Sequence, residues 1–278
     1  MNEFHIIEDV AHGRHAFVYK ARRHRTVEFV AAKKLERAHL DLVHHEVQLL
    51  SHFAHPHILG FFNWYQTTRH IWIVLELCPG GNVGALLAAD GRMPPATVRS
   101  FGLDVLSGLQ YLHARSIVFG NAKPSALLLD EYGVVKLAKF RFAQAIGSAK
   151  SSSGGRSSPW DAARERGGAG GEEGEEEDAP TRLMQGSAAY AAPELFTSHG
   201  VASYASDLWS FGCVLYELAT GRAAFGAPTL RGVLRKVEAG CDATRLAAQL
   251  AAPRRAQGRA AGVSSAWGCV VHFFCLLL

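Results

Sequence analysis

The hydrophobic pattern of this chain changes period once, at the stretch "CPGGN" covering residues 78 to 82, and that change constrains the fold more than any other feature. Before it, "FHIIEDV", "AFVYKARR", "TVEFVAAKKL", "HPHILGFFNWY" and "HIWIVLEL" are rich in β-branched and aromatic residues and largely alternate, as strands with one buried face do. One interruption, residues 39 to 53, spaces Leu42, Val43, Glu46, Leu49, Leu50 and Phe53 at intervals of three and four and predicts a helix. After the break the period is helical. Val98, Phe101, Val105, Leu106, Leu109 and Leu112 predict a core helix from Pro95 to His113. "SDLWSFGCVLYELATG" is apolar nearly all round, with a polar start and a Gly stop, the pattern of a helix buried on every side. Only "LLLD" and "VVKLA" predict further strands. The expected fold is α+β in two lobes: a small five-stranded antiparallel N-lobe with one helix (residues 1–77) and a mainly helical C-lobe (78–240).

With 278 residues and 48% apolar content, the chain can bury a core of that size. Its net charge of +4 is scattered rather than gathered into a stripe, so nothing points to nucleic acid. Five cysteines with no CxxC pair fit a reduced, intracellular protein. The 14 histidines form no metal-ligating constellation with carboxylates. No basic-then-apolar signal opens the chain, and the apolar run "AWGCVVHFFCLLL" is shorter than the roughly 20 residues that span a bilayer, so no membrane association is expected.

Two segments stand apart from the lobes. Residues 147 to 184, Ser/Gly-rich and then acidic through "EEGEEED", have almost nothing to bury and are expected to be disordered. Residues 241 to 278 form an atypical tail after an apparently truncated C-lobe. Either that tail covers the underside of the lobe, or the lobe needs a partner, or the sequence is an incomplete gene product.

Several motifs, met in order from about residue 4 to 239, resemble those of the protein kinase family. "FVAAKK" is similar to the Val-Ala-x-Lys strand and puts Lys33 at its lysine; "HHEVQLLSHFAHPHIL" is similar to the helix that carries the partner Glu, here Glu46. "YLHARSIVFGNAKPSALLLD" resembles the catalytic loop, "GSAAYAAPEL" the Ala-Pro-Glu segment ending at Glu194, and "SDLWSFGCVLYELATG" the central buried helix. Within the family, "ELCPGGNV" and "FGLDVLSGLQYLH" look most like the Unc-51-like kinase group, in particular its fourth, pseudokinase-type member.

That resemblance implies an inventory of chemistry, and much of it is missing. The glycine-rich loop positions read Ala11, Gly13 and Ala16, and each alanine restricts the backbone that would cradle phosphates. His-Arg-Asp becomes Phe119, Gly120 and Asn121, and an amide is no base at neutral pH. The metal-binding Asn is Ala126, and the Asp of Asp-Phe-Gly is Lys139, so both side-chain oxygen donors for magnesium are absent. Gly120 also cannot pair with a phosphate on the activation segment, as the family's Arg does.

Other positions are kept. Leu50, Phe61, Phe119 and Phe140 match an apolar ladder through both lobes; Val18, Ala31 and Leu128 match positions that sandwich adenine; Glu76 to Cys78 would offer hinge backbone hydrogen bonds. Lys33 and Glu46 either orient nucleotide phosphates or form a surface ion pair. Lys139 either supplies charge in place of magnesium, permitting ATP binding without it, or points to solvent or to Glu46. Cys78 reads as a small apolar residue rather than a reactive thiol. The resemblance thus implies a kinase homologue without phosphotransfer, acting through protein partners, cytoplasmic and linked to cilia or microtubules. A weakly active serine/threonine kinase is the rival that Lys33, Glu46 and Lys123 favour; a non-functional fragment is the third reading.

Overall fold

A computed structural model describes residues 3–13, 16–146, 188–197 and 200–239. The expected disordered insertion and the atypical tail lie outside the described residues. The N-terminal part is a five-stranded antiparallel sheet in the order β1-β2-β3-β5-β4, built from β1 (Phe4–His12), β2 (Ala16–Arg23), β3 (Phe29–Glu36), β4 (Phe61–Gln66) and β5 (His70–Glu76). Alternation sets the two faces of this sheet. Ala31, Ile71, Ile73 and Leu75 turn toward helix α1 (Leu40–Leu50) and join the main core, together with Val43, Val47 and Leu50. Ala21, Val30, Ala32 and Val74 turn the other way and are sealed by the chain's own aromatics Phe4, Tyr19, Tyr65 and Trp72. Lys34 lies over the rings of Phe17 and Trp72 on that face.

The remaining described chain holds α2 (Val83–Asp90), α3 (Pro95–His113), α4 (Tyr204–Thr220) and α5 (Leu230–Ala239), with short strands β6 (Ile117–Val118), β7 (Leu127–Leu129), β8 (Val135–Leu137) and β9 (Gln144–Ala145). Local chemistry marks the helix ends. Asn82 caps α2 by accepting from the Ala85 N–H, proline opens α3, and Ser203 with Ser206 forms a reciprocal capping box at α4.

The helix expected over 39–53 is shorter than its apolar spacing: a 3-10 turn (Arg37–His39) precedes α1, which stops at Leu50. Its last turn is closed by side chains, since Ser51 Oγ donates to the Gln48 carbonyl and His52 Nδ1 lies 2.6 Å from the same oxygen. The strand expected from "HPHILGFFNWY" starts only at Phe61. Its first part crosses to β8 instead, where Leu59 N–H donates to Leu137 O and Leu137 N–H to His57 O. Helix α2 and the β6–β9 pair carry too little periodic signal to be predicted from their residues.

α4 is buried on nearly all sides, through Trp209, Phe211, Val214, Leu215 and Leu218. Its first turn does more than pack. Asp207, 1% exposed, accepts from the N–H groups of Phe119 (2.8 Å) and Gly120 (2.7 Å), and His113 Nε2 sits 2.8 Å away. The helix thereby holds the backbone of the loop that follows β6. Replacing Asp207 with Ala strands two inward-facing amides at a cost of about 3 kcal/mol. In a protein of this size that lowers the thermal midpoint by roughly 5–10 °C, read by circular dichroism.

Candidate nucleotide site

β3 and α1 place the first pair. Lys33 and Glu46 approach to 2.7 Å, with side-chain exposures of 18% and 8%, so this is an inward-facing ion pair and not a surface one. Lys33 can reach because β3 continues the Ala31 face of the sheet; Glu46 can because α1 lies across it. α1 is also tied downward, with His45 Nε2 2.7 Å from the Ala143 carbonyl.

The positions expected to hold a base and a metal come together around Lys139. This residue adopts a left-handed backbone, φ 63° and ψ 60°, uncommon for a side chain with a Cβ. Asn121, 8% exposed, spends its amide N–H on the Lys139 carbonyl at 2.9 Å. The Lys139 ammonium does not pair with Glu46; it donates to the Ser125 carbonyl at 2.6 Å. Although the residue as a whole is exposed, burial of its ammonium and then the nearby Lys33 charge push its pKa down, partly offset by Glu46. Lys123 is shifted down as well, by burial and then by Lys139. Ala126 is fully buried and brings no side-chain oxygen. The donor set at 126 and 139, a methyl and an ammonium, does not fit magnesium, which takes hard oxygen ligands. Among the described residues no group of three His, Cys, Asp or Glu side chains could hold a metal ion.

Around these charges the apolar positions form one body. Phe119 and Phe140 meet edge to face at 5.1 Å, and Phe53 lies 5.5 Å from Phe140. Leu50, Phe119 and Phe140 are buried and Phe61 half-buried, in the same core cluster. Val18 and Leu128 pack partly buried against that cluster, which contains Ala31 and Cys78. Burial pushes the Cys78 thiol up to about 12, consistent with a packing role. Glu76 closes β5, with its N–H donating to Gly60 O at 2.8 Å. At the other end of the cleft, the Gly13 N–H donates to Ala16 O at 2.7 Å. An open depression beside the loop after β6, lined by Gly120, Asn121, Lys123, Tyr190 and Ser206, is separate from Val18, Ala31 and Leu128.

The sequence profile described as protein kinase domain matches residues 4–256. The chain belongs to the protein kinase family. It is 35% identical over 237 residues to serine/threonine-protein kinase RUNKEL of Arabidopsis thaliana, covering 85% of this chain and 15% of that protein. It is likewise 35% identical over 237 residues to serine/threonine-protein kinase ULK4 of Mus musculus, with 85% and 18% covered. Identity to serine/threonine-protein kinase ULK3 of Homo sapiens is 28% over 245 residues, 85% of this chain and 46% of that one. The chain is thus a ULK-like kinase domain and spans less than a fifth of the length of the first two relatives.

Within the kinase frame, three contacts escaped sequence reasoning. Asp207 was visible only as part of a polar helix start, because a carboxylate in a first turn is ordinarily satisfied by the helix end itself. Ser125 acts through its carbonyl, which no side-chain pattern reports. Lys136, a lysine inside a three-residue buried strand, was the one readable signal. None of the described helices is long and apolar enough to cross a membrane.

A double-mutant cycle tests the kinase-like ion pair. Lys33→Ala and Glu46→Ala, measured singly and together by urea unfolding, are expected to couple by about 1–3 kcal/mol. A surface pair would give under about 1 kcal/mol.

Proposed function

We propose that this domain binds ATP without magnesium, transfers no phosphate, and works as a scaffold or allosteric partner for other proteins. The observation that carries the reading is the assembled Lys33–Glu46 pair at 2.7 Å, beside a Lys139 ammonium where the family places a carboxylate. Phosphoryl transfer depends on positioning and on neutralising charge as the phosphoryl group moves. Positioning is supported here by the ion pair, the apolar ladder and the Val18, Ala31 and Leu128 walls. The transfer steps lack their agents: Asn121 cannot take a proton from a hydroxyl, and its N–H already serves the Lys139 carbonyl.

Lys139 has three N–H bonds and uses one on Ser125, so two can meet phosphate oxygens. Lys123 adds a second ammonium from the loop. Glu76 and Cys78 supply the hinge backbone for the base. Function then lies in surfaces that report the arrangement of the two lobes. Within the ULK-like kinases, this reading aligns the chain with the pseudokinase-type fourth member, supported by the 35% identity to ULK4. Ciliary or microtubule-associated protein partners in the cytoplasm follow from that alignment.

A thermal-shift titration with ATP is expected to give the same affinity in EDTA as in magnesium. Lys139→Ala should weaken ATP roughly tenfold and leave adenosine unchanged. The Lys123 and Lys139 ammonium groups are easier to deprotonate than free lysine, because burial disfavours their charge, so ATP affinity is expected to depend on pH. It declines as pH rises through those lowered values, while adenosine affinity stays flat. A radiolabelled transfer assay with magnesium and with manganese should show nothing above the Lys33→Ala variant. Transfer that Lys33→Ala abolishes would establish the weak-kinase reading instead, and loss of any cooperative melting transition would point to a non-functional fragment.

A further inference from the structure

The hinge that links β5 to α2 is held from below at both ends by one hairpin. At the far end, Gly80 N–H donates to Leu129 O at 3.0 Å and Leu129 N–H to Gly81 O at 2.9 Å, closing the hinge onto β7. The approach is so close that a Cβ on Gly80 would lie 2.7 Å from the Leu129 Cβ. At the near end the contact is ionic. Lys136, on β8 opposite Leu128, places its ammonium 2.8 Å from Glu76 Oε1. The other oxygen of Glu76 accepts from Gly60 N–H at 2.9 Å. Asp130, at 3.9 Å, is a more distant second carboxylate.

Lys136 is only 8% exposed, an unusual place for an ammonium unless it is fully engaged. It is: besides the two carboxylates it donates to the Pro56 carbonyl at 2.9 Å. Pro56 lies in the segment that leads from α1 to β4. One buried charge therefore joins three parts: the first hinge residue, the hairpin that carries Leu128, and the segment following the helix that carries Glu46. A carboxylate held by an ammonium and an amide at once cannot swing, and the peptide group of the same residue is fixed with it.

We propose that Lys136 is a positioning residue for the base end of the site, locking Glu76 so that the hinge backbone is presented to adenine in one orientation. This rests on the nucleotide-binding reading and adds to it a residue that touches no ligand. The lock acts on the base and not on the phosphates, because its partners Glu76, Pro56 and Asp130 belong to the hinge and its supports. Lys33, Lys123 and Lys139 serve the phosphate end.

The test compares ligands that share one end each. Lys136→Met keeps the stem and removes the charge; Lys136→Arg keeps the charge. Adenosine and ATP affinities should both fall roughly fivefold in Lys136→Met, the loss expected when one hinge hydrogen bond slackens. Inorganic tripolyphosphate affinity should be unchanged, and Lys136→Arg should recover most of the loss. In the ligand-free protein, hydrogen exchange at residues 76–81 should quicken in Lys136→Met only. Equal losses for adenosine and tripolyphosphate, or wild-type exchange at 76–81, would overturn the proposal. Should the wild type bind neither ATP nor adenosine, the nucleotide reading fails, while the exchange comparison still decides whether Lys136 locks the hinge.

Discussion

The cleft is organised by one inward-facing ion pair, Lys33 with Glu46. Glu46 neutralises Lys33 at 2.7 Å, but Lys139 and Lys123 stand near the same cleft. A buried ion pair is a weak source of net stability, since desolvation offsets most of its attraction; its strength lies in fixing geometry. Here it fixes α1 against β3. Of the two further ammonium groups, Lys139 has taken the Ser125 carbonyl. Where the family places a carboxylate for the metal, this chain carries an ammonium bound to a main-chain oxygen.

The departures from the kinase pattern are tied to one another through the backbone. Gly120 has φ +66° and its position would put a Cβ 2.9 Å from the Phe142 carbonyl, so an Arg restored there meets both strain and a clash. Asn121 supplies an N–H to the Lys139 carbonyl; an Asp restored there would set a carboxylate against that carbonyl. Lys139 in turn occupies a left-handed backbone that this hydrogen bond supports. No one substitution rebuilds the chemistry, because each altered residue has become a structural neighbour of the next. Meanwhile Asp207 holds the 119–120 backbone from α4 irrespective of what the loop's side chains can do. The backbone of the loop is thus held independently of its side chains.

Much of this was readable from residue order. The strands of the sheet, the helix from Pro95 to His113 and the buried helix α4 follow from hydrophobic period, because each buries a continuous face. Lys33, Glu46, Asn121, Ala126 and Lys139 were found by motif position, and the structure brings the charged ones to one cleft. What period could not supply was direction. Lys139 could be placed by its motif but not aimed, because its acceptor is a main-chain oxygen fourteen residues earlier. The 55–60 segment looked like a strand because Ile58 and Leu59 are apolar, yet they are buried by crossing to β8. Long-range pairing of that kind leaves no trace in local spacing.

The β7–β8 hairpin separates the supports of the hinge from those of Lys139. Only three residue pairs form it, yet Leu128 packs against the core beside Ala31, Leu129 holds Gly80 and Gly81, and Lys136 holds Glu76. The chain leaving β8 reaches Lys139 two residues after Leu137. The hairpin is thus a short beam with the hinge contacts along its length and the Lys139 ammonium at its exit. Its anchorage is independent of the ion pair above it: Leu137 is bonded to the 57–59 segment and Asp104 accepts from Val135 N–H at 3.0 Å. A change in Lys33 or Glu46 therefore alters how α1 meets the cleft without loosening the beam, and a change in Lys136 alters the hinge without moving Lys139. A domain whose two ends answer separately can signal through ligand-dependent shape even where it has no reaction to perform.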